Sequence, residues 1–219
     1  MALTKYNYNS FDVTPVASAG LAFNSGANGL TSLKGTSKVL IKTLTASSSA
    51  TISFVNGTSD VVLDSTYPIY KFVYINIHPA TDGAKLTVGF RDGSTNYDAT
   101  KTTTMYSTYH QEDGTGAELA YQGSGDIAQG TGFQELNRST GNANDESTSG
   151  ELWLFNPSST TFVKHFMART SSVHDNPAVQ DLYSAGYCNV TAAIDAVQFK
   201  MNSGNIDAGT FKLYGIKDS

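Results

Sequence analysis

The chain has one cysteine, five prolines, one tryptophan and few charges, 15% of its 219 residues. Each shortage excludes something. A single Cys188 leaves no intrachain disulfide and no cysteine-based metal site, and reads as a small buried hydrophobe rather than a nucleophile. Charged residues fall below the roughly 25% usual for globular chains. A net charge of −5 without any basic run excludes nucleic acid as a partner. No stretch approaches ~18 consecutive apolar residues, so no membrane insertion is expected. The N-terminus, Met1-Ala2-Leu3-Thr4-Lys5-Tyr6, lacks the basic and apolar regions of a secretory signal. No segment carries a sustained amphipathic helical period.

What the chain has is hydroxyl, glycine and aromatic content: about 50 Ser and Thr, 20 Gly, 12 Tyr and 11 Phe. Hydroxyl-rich and aromatic alternating runs separated by Gly/Asn/Asp/Ser turns are the pattern of β structure. The C-terminal run is the clearest. Phe211, Leu213 and Gly215 fall on one face, with Thr210, Lys212 and Tyr214 on the other. Ile69–His78 is apolar on both faces at its start and stops at Pro79, so it reads as a central strand. Further strands are expected at 38–45, 51–55, 61–63, 85–91, 104–111, 151–155, 161–168 and 193–201. The runs 46–50 and 80–84 read as hairpin connections, and Asn56-Gly57 as a tight turn. Together these predict an all-β protein, an antiparallel β-sandwich or jelly roll of about ten strands. Residues 1–35 lack a period and read as an irregular N-terminal arm or docking segment, with an ordinary strand pair as the alternative. Residues 36–219 form the sandwich domain. Gly114–Gly150, rich in Gly, Asn and Ser, reads as a long surface excursion of the kind used for contacts.

Several residue groups invite a chemical reading, and each has a plainer one. Asp92-Gly93-Ser94-Thr95-Asn96-Tyr97-Asp98 offers oxygens at alternate positions, as a Ca²⁺ loop does, but lacks the later bidentate Glu and reads as a turn. His110, Glu112 and Asp113 cluster at a strand end and read as solvated. His78, His165 and His174 show no metal-ligand spacing. Asp145, Glu146 and Glu151 raise the thought of a glycosidase pair, yet Asp and Asn are common turn formers. Trp153, in Leu152-Trp153-Leu154-Phe155, is expected in a core or a subunit interface. Tyr97, Tyr106 and Tyr109 are the aromatic candidates for sugar stacking, though Tyr106 and Tyr109 fall on opposite strand faces. Asn56, Asn137 and Asn189 head glycosylation-type triplets that read as coincidences of composition. No catalytic, cofactor-binding or metal-binding residue is assigned.

The phrases Tyr70–Phe90, the Asp92–Asp98 loop, Ser149–Pro157 and Ser203-Gly204-Asn205-Ile206 with Ala208–Ile216 together resemble a family of bacteriophage virion structural proteins. The resemblance spans roughly residues 65–217 and is most specific at the C-terminal phrase. It implies a jelly-roll module of a tail fibre, adaptor or baseplate, or a decoration protein on the capsid. It also implies a homotrimer, other virion proteins as partners, location in a virion assembled in the host cytoplasm, and no catalytic residues. Binding to a host surface glycan is a rival reading on the same fold, and a glycan-degrading enzyme a third. The Phe- and Tyr-rich strand 70–77 leaves open whether those rings face a core or a neighbouring subunit.

Overall fold

The computed structural model describes residues 21–23, 30–32 and 37–218. The chain divides after Ser37 into two units. In the first, β1 (Leu21–Phe23) and β2 (Leu30–Ser32) pair antiparallel. The rest of the segment expected to form the N-terminal arm lies outside the described residues.

The second unit is an antiparallel β-sandwich. Its strands are β3 (Lys38–Ser49), β4 (Ile52–Val55), β5 (Ile69–Pro79), β6 (Leu86–Arg91), β7 (Lys101–Gln111), β8 (Ala117–Tyr121), β9 (Gln134–Glu135), β10 (Thr148–Phe155), β11 (Lys164–His174), β12 (Ala178–Cys188), β13 (Ala196–Met201) and β14 (Ile206–Ile216). Eight strands form one open sheet in the order β3-β14-β5-β10-β11-β12-β7-β8. Four form the other, in the order β4-β13-β6-β9. The described residues contain no helix, so none long and apolar enough to cross a membrane.

Alternation sets which side of each strand is buried. On β5, Tyr70, Phe72 and Tyr74 are fully buried while Lys71 and Val73 point outward. The rings of this strand therefore face the core. On β14, Phe211 and Leu213 are buried and Lys212 and Tyr214 face out, as the sequence pattern predicts. The four-stranded sheet answers with Phe54, Leu86, Val88, Phe90, Val197 and Phe199, all fully buried. Phe199 sits at the junction. Its ring centroid lies 5.0 Å from Phe211, 5.7 Å from Phe72, 6.1 Å from Tyr74 and 6.5 Å from Phe54. A second bridge between the sheets is Phe90 on Phe166 at 4.8 Å. Each such ring contributes about 1.5–3 kcal/mol by leaving water. The two buried tyrosine hydroxyls are satisfied, Tyr70 by donating to the Asp64 carbonyl and accepting from its N–H, both 3.0 Å, and Tyr74 by Thr170.

The pairing between strands departs from local expectation in several places. Residues 46–49 continue β3 rather than turning, and β4 belongs to the opposite sheet. The segment 80–84 likewise carries the chain from β5 across to β6, so neither connection is a hairpin. The stretch 61–63 forms no strand, though Val61 and Leu63 are buried in the core. β8 and β12 were not anticipated. Their alternation is muted, because the inner positions of β12 include Gln180 and Ser184 rather than large apolar residues. Near the end of β5 a bulge places Asn76 at φ +51 opposite Gly209 at φ +125. A Cβ at residue 209 would come within 2.7 Å of the Asn76 carbonyl, so only glycine fits there.

The Gly114–Gly150 stretch is more than an excursion. It contributes β8, β9 and the start of β10, and part of it lies over the inner side of β7 and β12. Thr103 and Ile127 exchange bonds at 2.8 Å, Gln122 N–H donates to Met105, and Arg138 N–H donates to Gln180. Asn137 is fully buried; its carbonyl accepts from Leu86 N–H at 2.6 Å and its amide reaches Thr140. This half of the core is polar because its lid is a loop whose backbone needs partners.

Replacing Phe199 by Ala should cost about 3–5 kcal/mol in urea unfolding. Val73→Ala, on the outer side of the same sheet, should cost well under half of that. Equal losses would contradict the placement of the core.

Candidate functional site

The candidate site is the outer face of the eight-stranded sheet, the face turned away from β4, β13, β6 and β9. Antiparallel register carries rows of side chains straight across it. One row runs Tyr121, Tyr106, Tyr183, Arg169, Glu151, Val73, Lys212 from β8 to β14. The next runs Ala185, Met167, Trp153, Lys71, Tyr214, Leu40 from β12 to β3. Met167 is 50% exposed, Leu40 52%, Tyr106 44% and Tyr121 63%. The face thus gathers four tyrosines, a tryptophan, a methionine and an arginine, side chains enriched at protein contacts.

The rows are held together by rings and charges in alternation. Tyr106 and Tyr183 stack with centroids 4.9 Å apart and planes within 6°. The Arg169 guanidinium covers the other face of Tyr183 at 4.9 Å while donating to Asp181 at 2.9 Å. Lys71 Nζ lies 4.4 Å from the Trp153 ring and also pairs with Glu151, which accepts from Trp153 Nε1 at 2.9 Å. Lys38 sits 4.0 Å over Tyr214. Partial burial works to raise the Glu151 pKa. The Lys71 and Trp153 hydrogen bonds and the Lys71 and Lys38 charges outweigh it, and the carboxyl lies below its ordinary value of 4.5.

The other candidates are dispersed. Among the described residues no group of three or more His, Cys, Asp or Glu side chains gathers as for a metal. The Asp92–Asp98 loop is a turn closed by Ser94, whose hydroxyl donates to the Asn96 carbonyl at 3.0 Å and accepts from Asn96 N–H at 3.0 Å. It connects the two sheets rather than closing a hairpin, and Tyr97 lies 6.0 Å from the Arg91 guanidinium. Asp145 and Glu146 share a shallow hollow with His78 and Asp207, where Glu146 accepts from Ala143 N–H at 2.7 Å. Glu151 is on the outer face, so the three carboxylates form no pair across a cleft. His110, Glu112 and Asp113 are exposed, and Asp113 accepts from Thr115. His165 is exposed 6.0 Å from Tyr187, and His174 pairs with Asp175 at 2.5 Å. Tyr109 is half-buried. Of the glycosylation-type asparagines, Asn137 is buried, Asn56 accepts from Leu63 N–H at 2.9 Å, and Asn189 donates to Gln129 at 2.7 Å.

Sequence reasoning missed two buried lysines. Lys164 and Lys101 flank Cys188 on adjacent strands, all three fully buried. The Lys164 ammonium donates to the carbonyls of Ser159, Val190 and Ala192 at 2.5–3.1 Å, and Lys101 donates to Gly132 at 2.7 Å. Burial lowers both lysine pKa values and pushes the Cys188 thiol up to about 12. The lysines pin loops to the sheet, and the thiol is a protected hydrophobe.

No family model matches this chain, and neither a curated protein nor a solved structure matches it.

Trp153 is the single tryptophan, so its emission reports on Glu151. Acid titration should change that emission with a midpoint below 4.5, because a carboxylate held below its ordinary value keeps its contribution until the pH falls through the lowered pKa. Glu151→Gln should remove the step. A midpoint above 4.5 in the wild type would contradict the pairing with Lys71.

Proposed function

We propose that this chain is a non-enzymatic structural protein of a bacteriophage particle, a homo-oligomeric component of the tail apparatus such as a fibre or adaptor. The observation that supports the reading is the outer sheet face: broad, rich in Tyr, Trp, Met and Arg, and built on a rigid sandwich. Its composition matches protein contact surfaces better than a cleft for chemistry. Of the carboxylates considered for glycoside hydrolysis, Asp145 and Glu146 lie side by side in a shallow hollow and Glu151 stands on the outer face, so they do not face one another across a cleft. The phage assignment itself rests on the resemblance of residues 65–217. A capsid decoration protein is the variant of this reading that differs only in location.

Recognition of a host surface glycan is the second reading, favoured by the exposed rings of Tyr106 and Tyr121. The parallel stack of Tyr106 on Tyr183, with Arg169 on the far side, weighs against it. That stack takes up Tyr183 and one face of Tyr106, which leaves fewer ring faces for pyranose stacking.

Immunogold labelling of the source particle with antibodies to this chain tests the function directly. Gold on the tail is the expected result. Gold spread over the head would replace the tail assignment with capsid decoration, and unlabelled particles would overturn the structural role.

A further inference from the structure

We infer that the outer face of the eight-stranded sheet seats the same face of a second copy of this chain, across a twofold axis parallel to the strands and midway between β10 and β11. The inference deepens the homo-oligomeric role proposed above and rests on it, and it sets a twofold pair in place of the homotrimer that the resemblance implies.

Size is the first support. Eight strands about 4.8 Å apart span about 34 Å, and strands of 11 residues at about 3.3 Å per residue are about 36 Å long. The face is therefore on the order of 1,000 Å², against about 800 Å² per partner in a stable complex. Charge is the second support. The central charges are already neutralised within the face, Lys71 by Glu151 and Arg169 by Asp181. Covering them leaves no orphaned ion at the centre.

The third support is self-complementarity. A twofold axis between β10 and β11 exchanges strands equidistant from it: β10 with β11, β5 with β12, β14 with β7, and β3 with β8. Because the axis runs along the strands, each cross-strand row meets itself reversed. Glu151 then lies opposite the partner's Arg169, Trp153 opposite the partner's Met167, and Lys212 opposite the partner's Tyr106. Each is a favourable match: opposite charges, sulfur on an aromatic ring, and a cation on an aromatic ring. Face-packed sheets rotate by about 30°, which displaces the rim more than the centre. The Glu151–Arg169 and Trp153–Met167 matches are therefore the ones to test. A copy related by the perpendicular in-plane axis would set the lysine-bearing end against itself and lose them.

The experiment is light-scattering mass measurement on the full chain, with Met167→Glu as the disrupting variant. Met167 is half exposed, so the substitution leaves the single-chain fold intact, checked by circular dichroism. Wild type should have twice the chain mass, or a higher even multiple, and Met167→Glu should weaken association at least about tenfold. Geometry is read by mixing Trp153→Cys protein with Met167→Cys protein under mild oxidation. Disulfides between unlike variants should exceed those between like ones, with buried Cys188 as the unreactive internal control. A single-chain wild type at every concentration would overturn the inference. So would a mass of three chains, since a threefold ring joins unlike surfaces, an unchanged mass for Met167→Glu, or a preference for like-variant cross-links. Capture of host polysaccharide by a single-chain wild type, lost in Met167→Glu, would assign the face to glycan instead. These masses are read in solution without particles, so their failure leaves the labelling test of the virion role standing, and the reverse also holds.

Discussion

Phe199 is the contact on which the sandwich depends. It projects from β13 into a ring cluster drawn from β4, β5 and β14, so one side chain couples both sheets. The inner stripe of β5, Tyr70-Phe72-Tyr74, is what it packs against. Because the side-chain period of a strand is two, fixing that stripe inward fixes Lys71 and Val73 outward. Register then propagates the choice across all eight strands, and the outer rows of tyrosine, tryptophan and arginine follow from a core decision made elsewhere.

The two faces of the large sheet are consequently built on different physics. The inner face is closed twice, by an apolar four-stranded sheet at one end and by a polar loop lid at the other. Lys101, Ser107 and Gln180 bond into the second closure, and Asn137 reaches from it to Leu86 N–H, while Lys164 holds the carbonyls of Ser159, Val190 and Ala192 in other connections. The outer face holds Lys71 and Arg169 in ion pairs and sets cations over Trp153, Tyr183 and Tyr214. Such a surface is ordered before any partner arrives, so little side-chain entropy remains to be lost on association.

Much of the fold was legible locally. The alternation of Phe211, Leu213 and Gly215 defined β14, and Pro79 marked the end of β5. What local pattern does not encode is which sheet a strand joins. The segments 46–50 and 80–84 look like hairpin turns because turn residues are the same whether the chain reverses beside itself or crosses a sandwich. β12 escaped notice because its inner positions hold Gln180 and Ser184, which bond to or lie beneath a loop rather than an apolar sheet. The site was less legible still. Met167, Trp153, Arg169, Tyr183 and Tyr106 are spread along the chain and meet only through cross-strand register. Of these, Tyr106 was marked as a ring for sugar stacking, and Trp153, among apolar neighbours, pointed to a core or an interface; it stands on the outer face with Lys71 over its ring.

The central claim is that the outer sheet face is a contact surface. Hydroxyl-radical footprinting of the wild-type chain at rising concentration tests it most directly, read at Met167, Tyr106 and Tyr121. The account predicts that oxidation of these three falls as concentration rises, while Phe162, 70% exposed and outside the paired strands, reacts equally throughout. Unchanged oxidation of all four residues across the range would contradict it.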